Sequence, residues 1–165
     1  MRFSRDQRNL VYRALQEAEG HTSRYYCIPP YAWQELRYDL LTRSDDEWEP
    51  LPEAALARLR CLQKTSRSHT GPLDFYRIEL NDPTILKAAE RERLRTLYPF
   101  LVYILTHEMV HLVRLSSILN SAGGVMLAPE AEERRVDKIS HQILANAGLP
   151  RIHPVLQRFC LSPPL

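Results

Sequence analysis

The residues best suited to chemistry are two histidines and a glutamate in the stretch LVYILTHEMVHLVR, residues 101–114. His107 and His111 are four positions apart, and Glu108 directly follows the first histidine. On a helix, side chains four residues apart lie one above the other on the same face. Two imidazoles at this spacing can bind one metal ion from adjacent turns, while the Glu108 carboxylate can reach an attacking water molecule. This HExxH pattern therefore predicts a zinc centre.

The sequence around the motif predicts a buried helix. Residues 98–105 and 109–113 are mostly apolar, so nearly the whole circumference of the helix is expected to face other protein. Burying two histidines and a glutamate costs free energy unless their polar atoms find partners, and a metal ion provides one. The competing interpretation is a core helix whose polar residues are hydrogen-bonded without a metal.

A catalytic zinc ion takes three protein ligands, so one more must come from elsewhere in the chain. The metzincin extension of the motif requires a glycine at position 114 and a histidine at position 117. This chain has Arg114 and Ser117 at these positions, which excludes that class on its motif.

The last predicted helix offers the third ligand in its sequence PEAEERRVD, where Glu130, Glu132 and Glu133 compete. Asp137 lies four residues after Glu133, on the same helical face, where it could accept the free ring N–H of a metal-binding histidine. The alternative for the three glutamates is that they lie in the first turns of a helix because they complement its dipole. The alternative for Asp137 is that it is a surface partner of Arg134 or Lys138.

With these residues, the sequence resembles the gluzincin metallopeptidases. In that family, an HExxH helix is joined by a glutamate from a later helix, often with an aspartate four residues further on. The resemblance implies that His107, His111 and Glu133 bind zinc, that Glu108 is the general base, and that Asp137 supports a histidine ligand.

The resemblance covers residues 74–147, and in size the chain is similar to the compact cytoplasmic minigluzincins. It implies a zinc-dependent metallopeptidase that hydrolyses peptide or protein substrates, with the strand at 75–80 as the edge strand of the cleft. Two other hypotheses remain open. The chain could be a zinc-binding regulatory or interaction module with little or no turnover, or a metal-free helical interaction domain.

The pattern of elements predicts an α+β fold: a mostly helical, zincin-like single domain over residues 1–165 with a small antiparallel or mixed sheet. We expect an N-terminal helical part at 1–70, a metallopeptidase-like core at 74–147 and a tail at 150–165. Apolar spacing and turn residues predict the following elements: helices at 4–19, 31–41, 52–64, from 82–83 to 98, from Pro99 to about 116–120 and at 129–147; strands at 23–28 and 74–80; loops at 43–50 and 65–73; and a turn at 121–124.

Composition argues against several classes of partner. The net charge is only +2, and basic residues are mixed with acidic ones, so no nucleic-acid surface is expected. The most apolar stretch, 97–115, is interrupted by polar residues, which argues against a membrane span. Three widely separated cysteines and an N-terminus without an apolar segment favour a cytoplasmic protein without disulfides.

The tail could regulate the site. His153 and Cys160 are possible metal ligands, so a folded-back tail could keep the enzyme latent. The alternative is that four apolar tail residues pack onto the core as a short amphipathic turn, namely Ile152, Val155, Leu156 and Phe159.

Overall fold

The computed structural model describes residues 1–63, 74–116 and 128–159. The predicted loop at 65–73, the predicted turn at 121–124 and Cys160 lie outside these ranges. The described elements, in chain order, are α1 (Arg5–Tyr26), α2 (Pro30–Glu35), β1 (Arg37–Leu41), β2 (Ala57–Gln63), β3 (Phe75–Leu80), α3 (Asp82–Arg91), α4 (Tyr98–Leu115), α5 (Pro129–Ala145) and α6 (Ile152–Phe159).

Helix α4, which carries the HExxH motif, is the centre of the core. Helices α1, α5 and α6 and strand β2 all pack against it. Most of its circumference is buried, including Phe100, Leu101, Leu105 and Met109, as the apolar sequence predicts, and the face with His107 and His111 is partly exposed. None of the described helices combines the length and apolarity needed to cross a membrane.

The sheet has three strands in the order β1-β3-β2 and is mixed: β1 is parallel to β3, whereas β2 is antiparallel to it. The α+β, mostly helical fold with a small mixed sheet is therefore confirmed. Strand β3 alternates as predicted, with Tyr76, Ile78 and Leu80 buried on the core side. The prediction that β3 is the edge strand is wrong, because it pairs with a strand on both sides. Strands β1 and β2 form the edges among the described residues.

The N-terminal part is less helical than predicted. The helix expected at 52–64 is strand β2, and the helix expected at 31–41 ends at Glu35 and continues as β1. In β2, Arg58 and Arg60 project to one face, where both bind the fully buried carboxylate of Glu79 on β3. Leaving that carboxylate unpaired would be costly, so this cross-strand ion pairing outweighs the helical propensity of the segment.

Helix α1 is longer than predicted. It continues through Gly20 to Tyr26, and the strand expected at 23–28 does not form. Ala14, Ala18 and Thr22 are buried on the face packed against α4, which offsets the roughly 1 kcal/mol cost of a helical glycine.

Helix α3 is shorter than predicted. It ends at Arg91, where Arg93 takes a left-handed conformation and the Leu94 amide donates to the Ala89 carbonyl. The Arg93 amide also donates to the Glu90 carbonyl, and the two bonds together form the Schellman motif that terminates helices. The side chain of Asp82, in the first turn of α3, does not cap the helix. Its buried carboxylate instead accepts hydrogen bonds from the backbone amides of Phe3 and Arg43, and so joins the N-terminus and the 42–50 loop to α3.

The beginning of the tail is helical. Helix α6 buries Ile152, Val155 and Leu156, and Phe159 stacks on Phe100 with ring centroids 4.3 Å apart. The tail expected at 150–165 therefore begins as a helix, and the alternative that its apolar residues pack onto the core is confirmed.

Candidate metal centre

Two helices bring the three predicted ligands together. His107 and His111 are on adjacent turns of α4, and Glu133 projects from the beginning of α5. One carboxylate oxygen of Glu133 lies 2.7 Å from Nε2 of His107, and the other lies 3.0 Å from Nε2 of His111. The side chains are 12%, 18% and 47% exposed for His107, His111 and Glu133, so the group faces solvent on one side.

This arrangement fits a zinc ion. The three side chains offer one ligand atom each, all within 4.8 Å of one another. Tetrahedral zinc with bonds of about 2.0–2.2 Å separates its ligand atoms by about 3.3–3.5 Å. The two histidine–glutamate contacts, 2.7 and 3.0 Å long, would therefore open by about 0.3–0.8 Å around the ion. The donor set of two imidazoles and one carboxylate is also one that zinc accepts.

Asp137 lies behind the first histidine, one turn along α5 from Glu133. Its Oδ1 is 3.1 Å from Nδ1 of His107, and the aspartate side chain is only 4% exposed. Neither atom has another hydrogen-bonding partner among the described residues. The aspartate can therefore fix the ring so that Nε2 points toward the candidate metal position, as predicted from its spacing.

The other two acids of α5 lie away from the ligand group. Glu132 is buried and forms a two-pronged ion pair with Arg114 of α4, with N–O distances of 2.5 and 3.0 Å. Glu130 is exposed in the first turn of α5. Of the three glutamates that compete in the sequence, the structure brings only Glu133 to the histidines.

The pKa values show how strongly these groups are coupled. Burial alone would lower the pKa of His107, but the carboxylates of Asp137 and Glu133 outweigh it and raise the pKa to about 10. The same contacts with His107 and His111 hold the pKa of Glu133 well below its usual range. Burial raises the pKa of Glu108, an effect that the two histidines oppose. Without a metal, the neighbouring carboxylates thus favour the protonated form of His107.

A cavity of about 310 Å³ adjoins His107, Glu108 and Glu133. Its other walls are residues 54–57, which lead into and begin β2, and Tyr103 and Ile104 of α4. This wall was not predictable from a helix at residues 52–64, which the apolar spacing there had indicated. The alternation of arginines with apolar residues in ARLRCLQ, residues 57–63, was the signal for a strand.

The tail residue His153 is not in the ligand group. It is exposed on α6, and the described residues contain only His107, His111 and Glu133 as a group able to hold a metal ion. Among these residues, no histidine or cysteine of the tail blocks the site.

Comparisons of this chain with protein families, with curated proteins and with solved structures find no match. The site must therefore be interpreted from its own geometry.

Replacing Glu133 by alanine should weaken zinc binding by more than about 100-fold, because a direct ligand matters more than a supporting residue. Glu130→Ala is the matched control, since it removes an exposed glutamate from the same helix turn. Competition with a fluorescent chelator measures both affinities. An equal or larger loss for Glu130→Ala would show that the ligand is misassigned.

Replacing Asp137 by alanine should weaken zinc binding by about 10- to 100-fold, the range typical of residues that orient a histidine ligand. Lys138→Ala, an exposed neighbour, should leave the affinity unchanged. The same competition assay applies, with circular dichroism to verify folding. Unchanged affinity in folded Asp137→Ala would mean that the aspartate does not support the site.

Proposed function

We propose that this protein is a zinc-dependent metallopeptidase. The observation that carries the proposal is the convergence of His107, His111 and Glu133 beside the buried carboxylate of Glu108. A purely structural zinc site would use a fourth protein ligand, whereas a catalytic site leaves a position open. Among the described residues, the group has three ligands and a solvent-facing side.

In the proposed hydrolysis, Glu108 transfers the proton and Asp137 orients a histidine ligand. A bound zinc ion supplies Lewis acidity toward the scissile carbonyl and lowers the pKa of water. Glu108 accepts a proton from the attacking water and passes it to the leaving amine. Its burial favours this role, because burial raises the pKa of the carboxyl from its ordinary value. Asp137 holds His107 in the orientation that presents Nε2.

The substrate peptide would lie along β2. This strand has a free edge among the described residues and packs against α4, whereas β3 is enclosed on both sides. An extended peptide can add to such an edge through backbone hydrogen bonds. The cavity beside Glu108 has walls formed by Ala54, Ala55, Leu56 and Ala57, so an apolar substrate side chain fits it.

Zinc stoichiometry and cleavage of a peptide library, measured on the same preparation, test the proposal. We expect one zinc ion per chain and hydrolysis of internal peptide bonds that stops when a chelator removes the metal and returns with added zinc. Protein purified without chelator that contains no zinc and does not acquire it would contradict the proposal.

The second candidate is a zinc-binding interaction module with no useful turnover. It is favoured by Tyr103, the tyrosine in the cavity wall. Its hydroxyl donates a 2.7 Å hydrogen bond to the Phe159 carbonyl, so it is not free to stabilise an oxyanion. Zinc bound at one ion per chain without cleavage of any library peptide would favour this module.

A further inference from the structure

A second cavity lies where the ends of three helices meet. It has a volume of about 350 Å³ and is formed by the turn after α3, the first turn of α4 and helix α6. Its lining shares no residue with the cavity at the metal centre. Four of its nine lining residues are arginines: Arg93, Arg95, Arg151 and Arg158. None of the nine is acidic.

These arginines are not neutralised within the described part of the chain. No side chain of the four has an ion pair or hydrogen bond there, whereas Arg58, Arg60, Arg77 and Arg114 are all paired with carboxylates. All four are exposed, so their guanidinium groups can reach a ligand without losing an internal partner. A set of unpaired like charges around one cavity attracts an anion.

The backbone also places charge at this cavity. Arg93 and Arg151 have φ values of 52° and 63°, left-handed conformations that are unfavourable for residues other than glycine. Helices α4 and α6 both begin at the cavity, so two positive dipole ends reinforce the arginines, against one negative end from α3. Arg93 occupies the helix-terminating position that usually holds glycine.

The remaining surface of the cavity is largely apolar. Leu94, Pro99, Pro154 and Val155 form most of it, and Thr96 adds one hydroxyl. A bare inorganic anion would leave these carbon surfaces in water. An anion with an attached apolar body would cover them, and the volume is within the range of small-ligand pockets.

We propose that this cavity binds the phosphate group of a small organic phosphate ester. The guanidinium groups donate paired hydrogen bonds to the phosphate oxygens, a geometry for which arginine is suited. The organic part of the ester packs against the apolar wall. The site is separate from the metal centre, so the proposal stands whether or not the protein is a peptidase.

Calorimetric titration of the full chain at low salt tests this site, with phenyl phosphate as the probe and inorganic phosphate and phenol as its two halves. Phenyl phosphate should bind about tenfold more tightly than inorganic phosphate, because the ring also buries apolar surface. Phenol should not bind measurably. Binding should weaken as salt is added. Equal affinity for phenyl phosphate and inorganic phosphate would overturn the organic-ester assignment.

Arginine variants test whether phenyl phosphate binds in this cavity. The double variant Arg95→Gln/Arg158→Gln should weaken phenyl phosphate binding by about tenfold or more. Arg5→Gln removes a charge from an exposed arginine of α1 that does not line the cavity, and should bind like the wild type. Phosphate held by zinc at the metal centre would be insensitive to both variants. Unchanged affinity in the double variant, or an equal loss in Arg5→Gln, would therefore overturn the proposal.

Discussion

Replacing Glu108 by glutamine is expected to lower peptide hydrolysis by about 10²- to 10⁴-fold while zinc binding is retained. The amide has nearly the same shape as the carboxylate but cannot accept the proton of the attacking water. Glu108 also lies outside the ligand group formed by His107, His111 and Glu133, so its change should leave the metal in place. Single-turnover cleavage of the best library peptide and zinc analysis of the same sample measure both effects.

Glu130→Gln is the matched control for this experiment. It makes the same chemical change at an exposed residue of α5 that contacts neither histidine of the motif, and it should cleave like the wild type. Loss of zinc from the Glu108 variant would show that this residue is a ligand or a structural support. Full activity with zinc bound would show that another group is the base.

A chain truncated after Gly148 is expected to unfold. The truncation removes α6, whose Ile152, Val155 and Leu156 are at most 2% exposed. Each buried side chain contributes roughly 1.5–3 kcal/mol, so the loss is comparable with the roughly 5–15 kcal/mol stability of a typical domain. Circular dichroism and thermal melting of the shortened chain measure the outcome.

A chain that ends at Phe159 is the control for this truncation. It keeps the three buried residues, the stacking of Phe159 on Phe100 and the hydrogen bond from Tyr103, and should fold. If instead the folded-back tail keeps the enzyme latent, the chain truncated after Gly148 should be folded, zinc-loaded and more active than the full chain. That result would mean that α6 regulates the site and is dispensable for the core.

The candidate site divides into a part that is local in sequence and a part that is not. The spacing of His107 and His111 is enough to place both on one face of a helix, because helix periodicity acts over four residues. The pairing of Glu133 with Asp137 follows the same rule within α5. Which acid faces the histidines depends on how α5 packs on α4. In that packing Arg114 of α4 binds Glu132, and Glu133 faces the histidines. Local sequence patterns could rank the three glutamates as candidates for the third ligand, but they could not exclude Glu130 and Glu132.

The elements of the fold divide in the same way. Strand β3 and helix α4 were predictable because alternation and an apolar circumference are properties of the segments themselves. Strand β2 carries a similar alternation, but in residues that also favour a helix, and the pairing of Arg58 and Arg60 with Glu79 of another strand decides between the two. The position of β3 between β1 and β2 is likewise a matter of pairing between distant segments. Sequence thus determined the helix that carries the two histidines of the candidate metal centre, while tertiary pairing decided which strand borders it, because the order of strands in a sheet depends on contacts between distant segments.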